Sequence, residues 1–253
     1  MVTARVHPLP QDPAPPSATP QSFVKLQPRT LVHQVIDALV AGAAEGLILP
    51  GDRIIEADLA EQLGVSRVPV REALRVLESQ GVVVNEPYRG IRLTPVTHER
   101  IDQLIEVRMA LETTAAIRAV RRKHNDEAHL QQLESIVLEM QTMAERNDVF
   151  GFASADTDFH RAFCACAGNE VLSDMWEMLA RQMTIILGLT TMGKPMPEIV
   201  QEHRDLVQVF RTGKVAEIKR TIREHIDVEI HKVDLERLIA NRRAQAQPAA
   251  ANA

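Results

Sequence analysis

Residues Glu56–Gly81, EADLAEQLGVSRVPVREALRVLESQG, decide how the rest of the chain is read. Two amphipathic pieces meet at Gly64: Leu59, Ala60 and Leu63 recur at helical spacing in the first, and Val70, Ala73, Leu74 and Leu77 in the second. The hinge Leu63-Gly64-Val65-Ser66 offers a glycine for a left-handed backbone, a valine to bury and a serine in N-cap position. Pro69 falls in the first turn of the second helix, where a missing N–H costs nothing, and Glu72 lies near capping-box distance. Arg67, Arg71 and Arg75 are spaced by four, so they share a face away from the apolar stripe. The pattern predicts a helix-turn-helix with three guanidinium groups on its second helix. The plain alternative is a solvated helical hairpin whose arginines serve solubility.

The flanks weigh against that alternative. After the second helix, VVVNEPYRGIRL (82–93) alternates like a strand, turns through Asn85, Glu86 and Pro87, and resumes as a second strand. Before the motif, LVHQVIDALVAGAAEGLILPGDRI (31–54) gives one more helix and a turn at Pro50-Gly51. Helix, turn, helix-turn-helix and hairpin, in that order, make a winged helix, and the expected partner is double-stranded DNA.

With these residues in view the chain resembles the GntR family of bacterial transcriptional regulators. The resemblance is carried by Leu49-Pro50-Gly51-Asp52, Leu63 to Arg67, Pro69 to Leu74, Leu77, Gly81 and Arg89-Gly90 in the wing. It spans about Val24 to Val96. Expected DNA contacts are Ser66, Arg67, Pro69 and Arg71, with Arg75 at the edge, and Arg89 and Gly90 at the wing tip near the minor groove or backbone. Ala57 departs from the pattern, since some relatives carry a basic residue there.

A length of 253 residues suffices for two modest cores, and scarce aromatics among abundant aliphatics suit helix bundles. The net charge of -5 argues against a simple polyanion binder, so DNA affinity has to come from focused arginines. Cys164 and Cys166 stand two apart in a helical pattern and face different directions, which reads as reduced thiols, small core or semi-buried. No apolar run is long enough for a bilayer and no signal-peptide core stands at the start, so the expectation is a cytoplasmic protein without a membrane partner.

The proline-rich residues 1–23 are expected to be a disordered tail, followed by the winged helix over 24–96, a helical domain over 97–241 and a second disordered tail over 242–253. Past the wing no strand pattern returns. Six helical stretches follow, IDQLIEVRMALETTAAIRAVRRK (101–123), DEAHLQQLESIVLEMQTMAER (126–146), FGFASADTDFHRAFCACAG (150–168), EVLSDMWEMLARQMTIILGL (170–189), MPEIVQEHRDLVQVFRTG (196–213) and KVAEIKRTIREHIDVEIHKVDLERLI (214–239). The predicted fold is therefore mainly α: an N-terminal winged helix-turn-helix and a C-terminal all-α bundle of about six helices. Arg108 to Glu112, Asp156 to Asn169, Glu202-His203-Arg204 and Glu224-His225-Ile226 resemble the effector domain of the FadR subgroup, the FCD type, from about Ile101 to Ile239.

Asp156 and His160 are four apart on one helix face, with His203 and His225 on the next two helices. Three imidazoles and a carboxylate suit a divalent transition ion such as zinc or nickel, although nine histidines in a helical chain can also be chance. The resemblance implies that these four residues hold a divalent metal. His124, His129 and His231 match no such position and read as solvated, and Asp158 should face away from His160. Arg108 and Glu112 could be a surface ion pair. The resemblance favours Arg108 turned inward as a clamp for a carboxylate. Asn169 reads as a cap and Trp176 as core.

The expected function is that of a ligand-responsive regulator, with repression the expected mode. A homodimer would read a short palindrome, and a small organic acid would bind beside the metal. The resemblance suggests the first and fourth helices of the bundle as its interface. A metal-dependent hydrolase is the alternative from another class, but Glu202 and Glu224, each adjacent to a ligand, diverge from it by a helical step and are poorly aimed as bases. A purely structural metal is a third reading.

Overall fold

The computed structural model describes residues 30–228 and 230–246; the expected tail over 1–23 and the last part of the other, 247–253, lie outside the described residues. Thr30 caps α1 (Leu31–Ala44), its Oγ1 accepting from the backbone of His33. The winged helix continues with α2 (Glu56–Gln62), α3 (Arg67–Ser79), β1 (Val83–Glu86) and β2 (Gly90–Leu93). Gly64 takes φ +64° at the hinge, as the left-handed turn requires. Ser66 occupies the N-cap of α3 but its side chain makes no capping bond, and Pro69 lies buried in the first turn. Glu72 forms no capping box; it accepts a hydrogen bond from Arg75 at 2.9 Å instead. Val65, expected to be buried, is half-buried.

The wing turns later than its sequence suggested. Asn85 and Glu86 are still paired in β1, opposite Ile91 and Gly90, so the turn runs through Pro87, Tyr88 and Arg89. Tyr88 and Gly90 both take positive φ there. The Pro50-Gly51 turn feeds a third extended segment onto β2: Leu93 donates its N–H to Asp52, and Ile54 donates to Ile91. Arg53 bridges Arg92 in antiparallel fashion.

Thr97 caps α4 (His98–Arg122), which ends in a left-handed Lys123 behind the basic pair Arg121-Arg122. Then come α5 (Glu127–Arg146), α6 (Val149–Ala165), α7 (Glu170–Thr190) and α8 (Met196–Thr212). Asn169 is the N-cap of α7, again without a side-chain bond, and Trp176 is buried. The expected sixth helix is not continuous. α9 (Val215–Arg223) passes into a π turn over Glu224–Val228, then a 3-10 turn over Ile230–Lys232, and α10 (Leu235–Ala246) begins anew. That helix extends to Ala246, past the expected domain end at 241 and into the stretch expected to be a tail. Within it Arg243 donates to the Pro50 carbonyl and, at 2.9 Å, to Asp52.

The bundle core is built on Phe152, Phe159, Phe163, Trp176 and Phe210, all nearly inaccessible. The two domains meet on α7. Gly188 sits so close to α1 that a Cβ there would lie 2.7 Å from the Ala44 carbonyl oxygen. Arg181 and Gln182 of α7 donate to the side chain and backbone carbonyl of Gln80, directly behind α3.

Candidate functional site

On α3 the apolar stripe Val70, Ala73, Leu74 and Leu77 is buried against the rest of the winged helix, which turns Arg67, Arg71 and Arg75 outward. Val68 is exposed beside them. At the wing tip Tyr88 and Arg89 are exposed, while Arg89 and Arg92 both approach Glu86. The requirement for glycine at position 90 arises within the fold: φ is +80° there, and Arg53 passes beneath it.

The second constellation lies in the middle of the bundle. α6 places Asp156 and His160 on its inner face, α8 contributes His203, and the π turn contributes His225; the first three are fully buried. Nε2 of His160 lies 3.2 Å from Nε2 of His203 and 3.2 Å from Nε2 of His225. Asp156 approaches the same point, Oδ1 at 3.3 Å from His203 and Oδ2 at 3.7 Å from His160. Nδ1 of His203 lies 2.8 Å from the Ile199 carbonyl, which can only accept, so the proton sits on Nδ1 and Nε2 presents a lone pair. Nδ1 of His160 faces Glu112 Oε2 at 2.8 Å, which orients its ring, and Nδ1 of His225 lies 3.4 Å from Glu202 Oε2.

Lone pairs and a carboxylate converging in an apolar interior repel one another. Burial pushes the Asp156 carboxyl up to about 7, against the opposing pull of Arg108. Burial also drives His203 down to about 4 and His160 well below its ordinary value, so both imidazoles are neutral at neutral pH. Asp156 Oδ2 is buried without a hydrogen-bond partner among the described residues. A cation answers all of these at once. Donors held at about 2.0–2.1 Å from a tetrahedral ion stand roughly 3.3–3.4 Å apart. Donor atoms of His160, His203 and His225 all lie within 4.8 Å of one another, and the contacts of His160 with both other histidines and of Asp156 with His160 and His203 span 3.2–3.7 Å, a size that suits a divalent ion. These residues could therefore hold one.

Arg108 is buried, with Nε donating to Glu112 at 2.8 Å and its guanidinium over the Trp176 ring at 5.6 Å. Its Nη2 has no partner among the described residues. Arg108, Asp156, Thr190, Lys194, Glu202 and His225 line a cavity of about 30 Å³. The surface ion pair considered for Arg108 and Glu112 is thus an internal one, and the inward reading of Arg108 matches its position.

The family model for bacterial regulatory proteins of the gntR family matches residues 31–93, and that for the FCD domain matches 103–228. A regulator from the TAR-I ttuE-ttuC' intergenic region of Agrobacterium vitis is 38% identical over 121 residues, covering 47% of this chain and 71% of that one. The chain belongs to the GntR family of bacterial transcriptional regulators. A probable D-xylose utilization operon transcriptional repressor of Paenarthrobacter nicotinovorans is 28% identical, over 80% of this chain and 88% of the relative. Among solved structures, that of E. coli McbR/YncC shares the fold, with a TM-score of 0.63 and 24% identity over 87% of this chain and all of that one.

This GntR regulator is a DNA-binding protein and not an enzyme. The residues behind the histidines were not anticipated. The spacing of Glu112 points only to Arg108, and that of Glu202 only to a poorly aimed base; Glu202 in fact stands between His225 and Lys194. One correction falls on the other histidines. His124 and His129 are half-buried, stacked at 4.8 Å, and His124 Nδ1 meets the Cys166 carbonyl at 2.8 Å. His231 is exposed but bound to Asp102 at 2.8 Å. Asp158 does face outward, paired with Arg161. Cys164 and Cys166 are both free and buried.

Proposed function

We propose that this regulator is a repressor whose helical domain holds a divalent metal through Asp156, His160, His203 and His225 and binds a small organic acid beside it. The convergence of three Nε2 atoms beside Asp156, with Asp156 and His225 in the wall of the Arg108 cavity, carries this reading. Four protein donors would close a tetrahedral ion, whereas a bound divalent ion of five or six coordination would keep positions open and supply a Lewis-acidic face to a carboxylate oxygen. Arg108 would take the second oxygen through its unpartnered Nη2, with Lys194 adding positive charge. The cavity admits a carboxylate-sized group, so a larger acid requires the turn carrying His225, Ile226 and Ile230 to shift.

The same reading gives α3 to a DNA major groove, with Arg67 and Arg71 at bases, Ser66 and the Pro69 turn at a phosphate, Arg75 at the margin, and Arg89 and Gly90 at the wing. One winged helix reads one half-site, so a homodimer on a short palindrome is proposed. Val171, Met175 and Met178 support α7 as part of its interface: all three are exposed, and their spacing puts them on one helix face. Val107 is the exposed apolar residue on α4. Such a protein works in the cytoplasm, and no helix among the described residues is long and apolar enough to cross a membrane.

The test is a thermal-shift screen of small hydroxy- and keto-carboxylates on zinc-loaded protein, repeated on Arg108→Ala. At least one acid should raise the melting temperature of the wild type and not of the variant. Shifts that persist without Arg108, or none at all, count against the effector site. Effector and operator must then alter each other's affinity reciprocally.

A further inference from the structure

The three arginines of α3 are not equivalent. Among the described residues Arg67 has no ion pair, and Arg75 makes one bond to Glu72 on its own helix surface. Arg71 reaches across to Glu56, the first residue of α2, and gives both Nε and Nη2 to a single oxygen, Oε2, at 3.1 and 3.0 Å. Glu56 is itself favoured there, since its charge stands in the first turn of α2.

We infer that Glu56 is a positioning residue for base readout by Arg71, an inference that rests on the proposed docking of α3 in the major groove. A guanidinium has five N–H groups in a rigid plane. Glu56 takes the two on the side edge, from Nε and Nη2. That leaves both N–H groups of Nη1 and the outward one of Nη2, and the two outward N–H groups, one from each Nη, form the end-on fork. The end-on fork matches O6 and N7 of guanine. Arg71 is therefore held with its plane fixed and one fork presented, so less side-chain freedom is lost when it meets a base. The carboxylate itself repels DNA phosphates, so it should lower non-specific affinity while it sharpens specific readout.

These opposite signs distinguish positioning from a merely structural role. The experiment selects binding sites from a duplex library randomised over its central positions, using wild type, Arg71→Ala, Glu56→Gln and Glu56→Ala as full-length proteins. Affinity for poly(dI-dC) is measured alongside, and melting temperatures verify folding. Arg71→Ala should erase one guanine per half-site from the selected motif. Glu56→Ala should weaken preference at that same guanine by about tenfold. Glu56→Gln should fall between, since its amide oxygen still accepts from the guanidinium edge. Both Glu56 variants should bind poly(dI-dC) roughly two- to threefold more tightly. If Arg71→Ala leaves the motif unchanged, the docking of α3 is wrong. If Arg71→Ala erases the guanine and Glu56→Ala leaves it at full strength, or changes a different base pair instead, Glu56 does not position Arg71.

Discussion

Glu112 and His160 share a hydrogen bond of 2.8 Å in the fully buried centre of the bundle, where the other oxygen of Glu112 takes the Nε–H of Arg108, also at 2.8 Å. One carboxylate thus orients an imidazole and holds a cation. Burial keeps its own pKa up at about 7 despite Arg108. Glu112→Gln cannot satisfy both neighbours, because its single acceptor oxygen serves one and its amide N–H₂ confronts the other. Either His160 loses its tautomer or Arg108 faces a donor. Zinc affinity measured by competition with a chromophoric chelator should fall about 10–100-fold. An unchanged affinity would show that the bond to Glu112 does not set the state of His160.

Metal uptake should depend on pH with a definite sign. In the metal-free protein Asp156, at about 7, is protonated in mild acid, whereas His203, at about 4, is already neutral. A metal must displace the Asp156 proton, so affinity should rise by about tenfold per pH unit up to neutrality and then flatten. Chelator competition across the neutral range reads this directly. An affinity that stays flat from mild acid to neutrality would show that metal uptake displaces no proton from the site.

The hinge at Gly64 and the burial of Val70, Ala73, Leu74 and Leu77 could be read from the sequence because both are local: a left-handed residue and a helical stripe. The pair Asp156 and His160 was readable for the same reason, four residues apart on one helix. What escaped depends on packing between helices. Nothing in the sequence from Lys214 to Ile239 marks a break, since it holds no glycine or proline, yet the chain forms a π turn where His225 must reach His160. Glu112 and Glu202 acquire their roles only when α4 and α8 bring them against histidines from other elements. The extended segment at Arg53 is too short to alternate and is defined only by its partner β2.

Gly188→Ala tests the contact between domains. The added methyl would stand 2.7 Å from both Cβ and the carbonyl oxygen of Ala44, so α1 and α7 must separate. Overpacking of this kind costs about 1–3 kcal/mol. The melting temperature should fall by roughly 2–4 °C for each kcal/mol, while zinc content stays unchanged. Wild-type stability in the variant would mean that the helices can part freely.

Arg71→Ala and Arg75→Ala should differ on DNA. Loss of a bidentate base contact removes about 1–3 kcal/mol of discrimination, so Arg71→Ala should weaken specific binding by roughly tenfold or more per half-site with its fold and metal content intact. Arg75, a turn further along and paired with Glu72, should matter several-fold less by fluorescence anisotropy on the selected duplex. Equal losses would shift the docked helix toward its C-terminal end.

The central claim is that Asp156, His160, His203 and His225 form one metal centre. The most direct measurement is zinc content by mass spectrometry after chelation and reconstitution, on wild type and His203→Ala in parallel. The wild type should retain about one ion per chain after dialysis against a competing chelator, and the variant, which has lost one of its donors, far less. Full occupancy in His203→Ala, or no retained metal in the wild type, would contradict it.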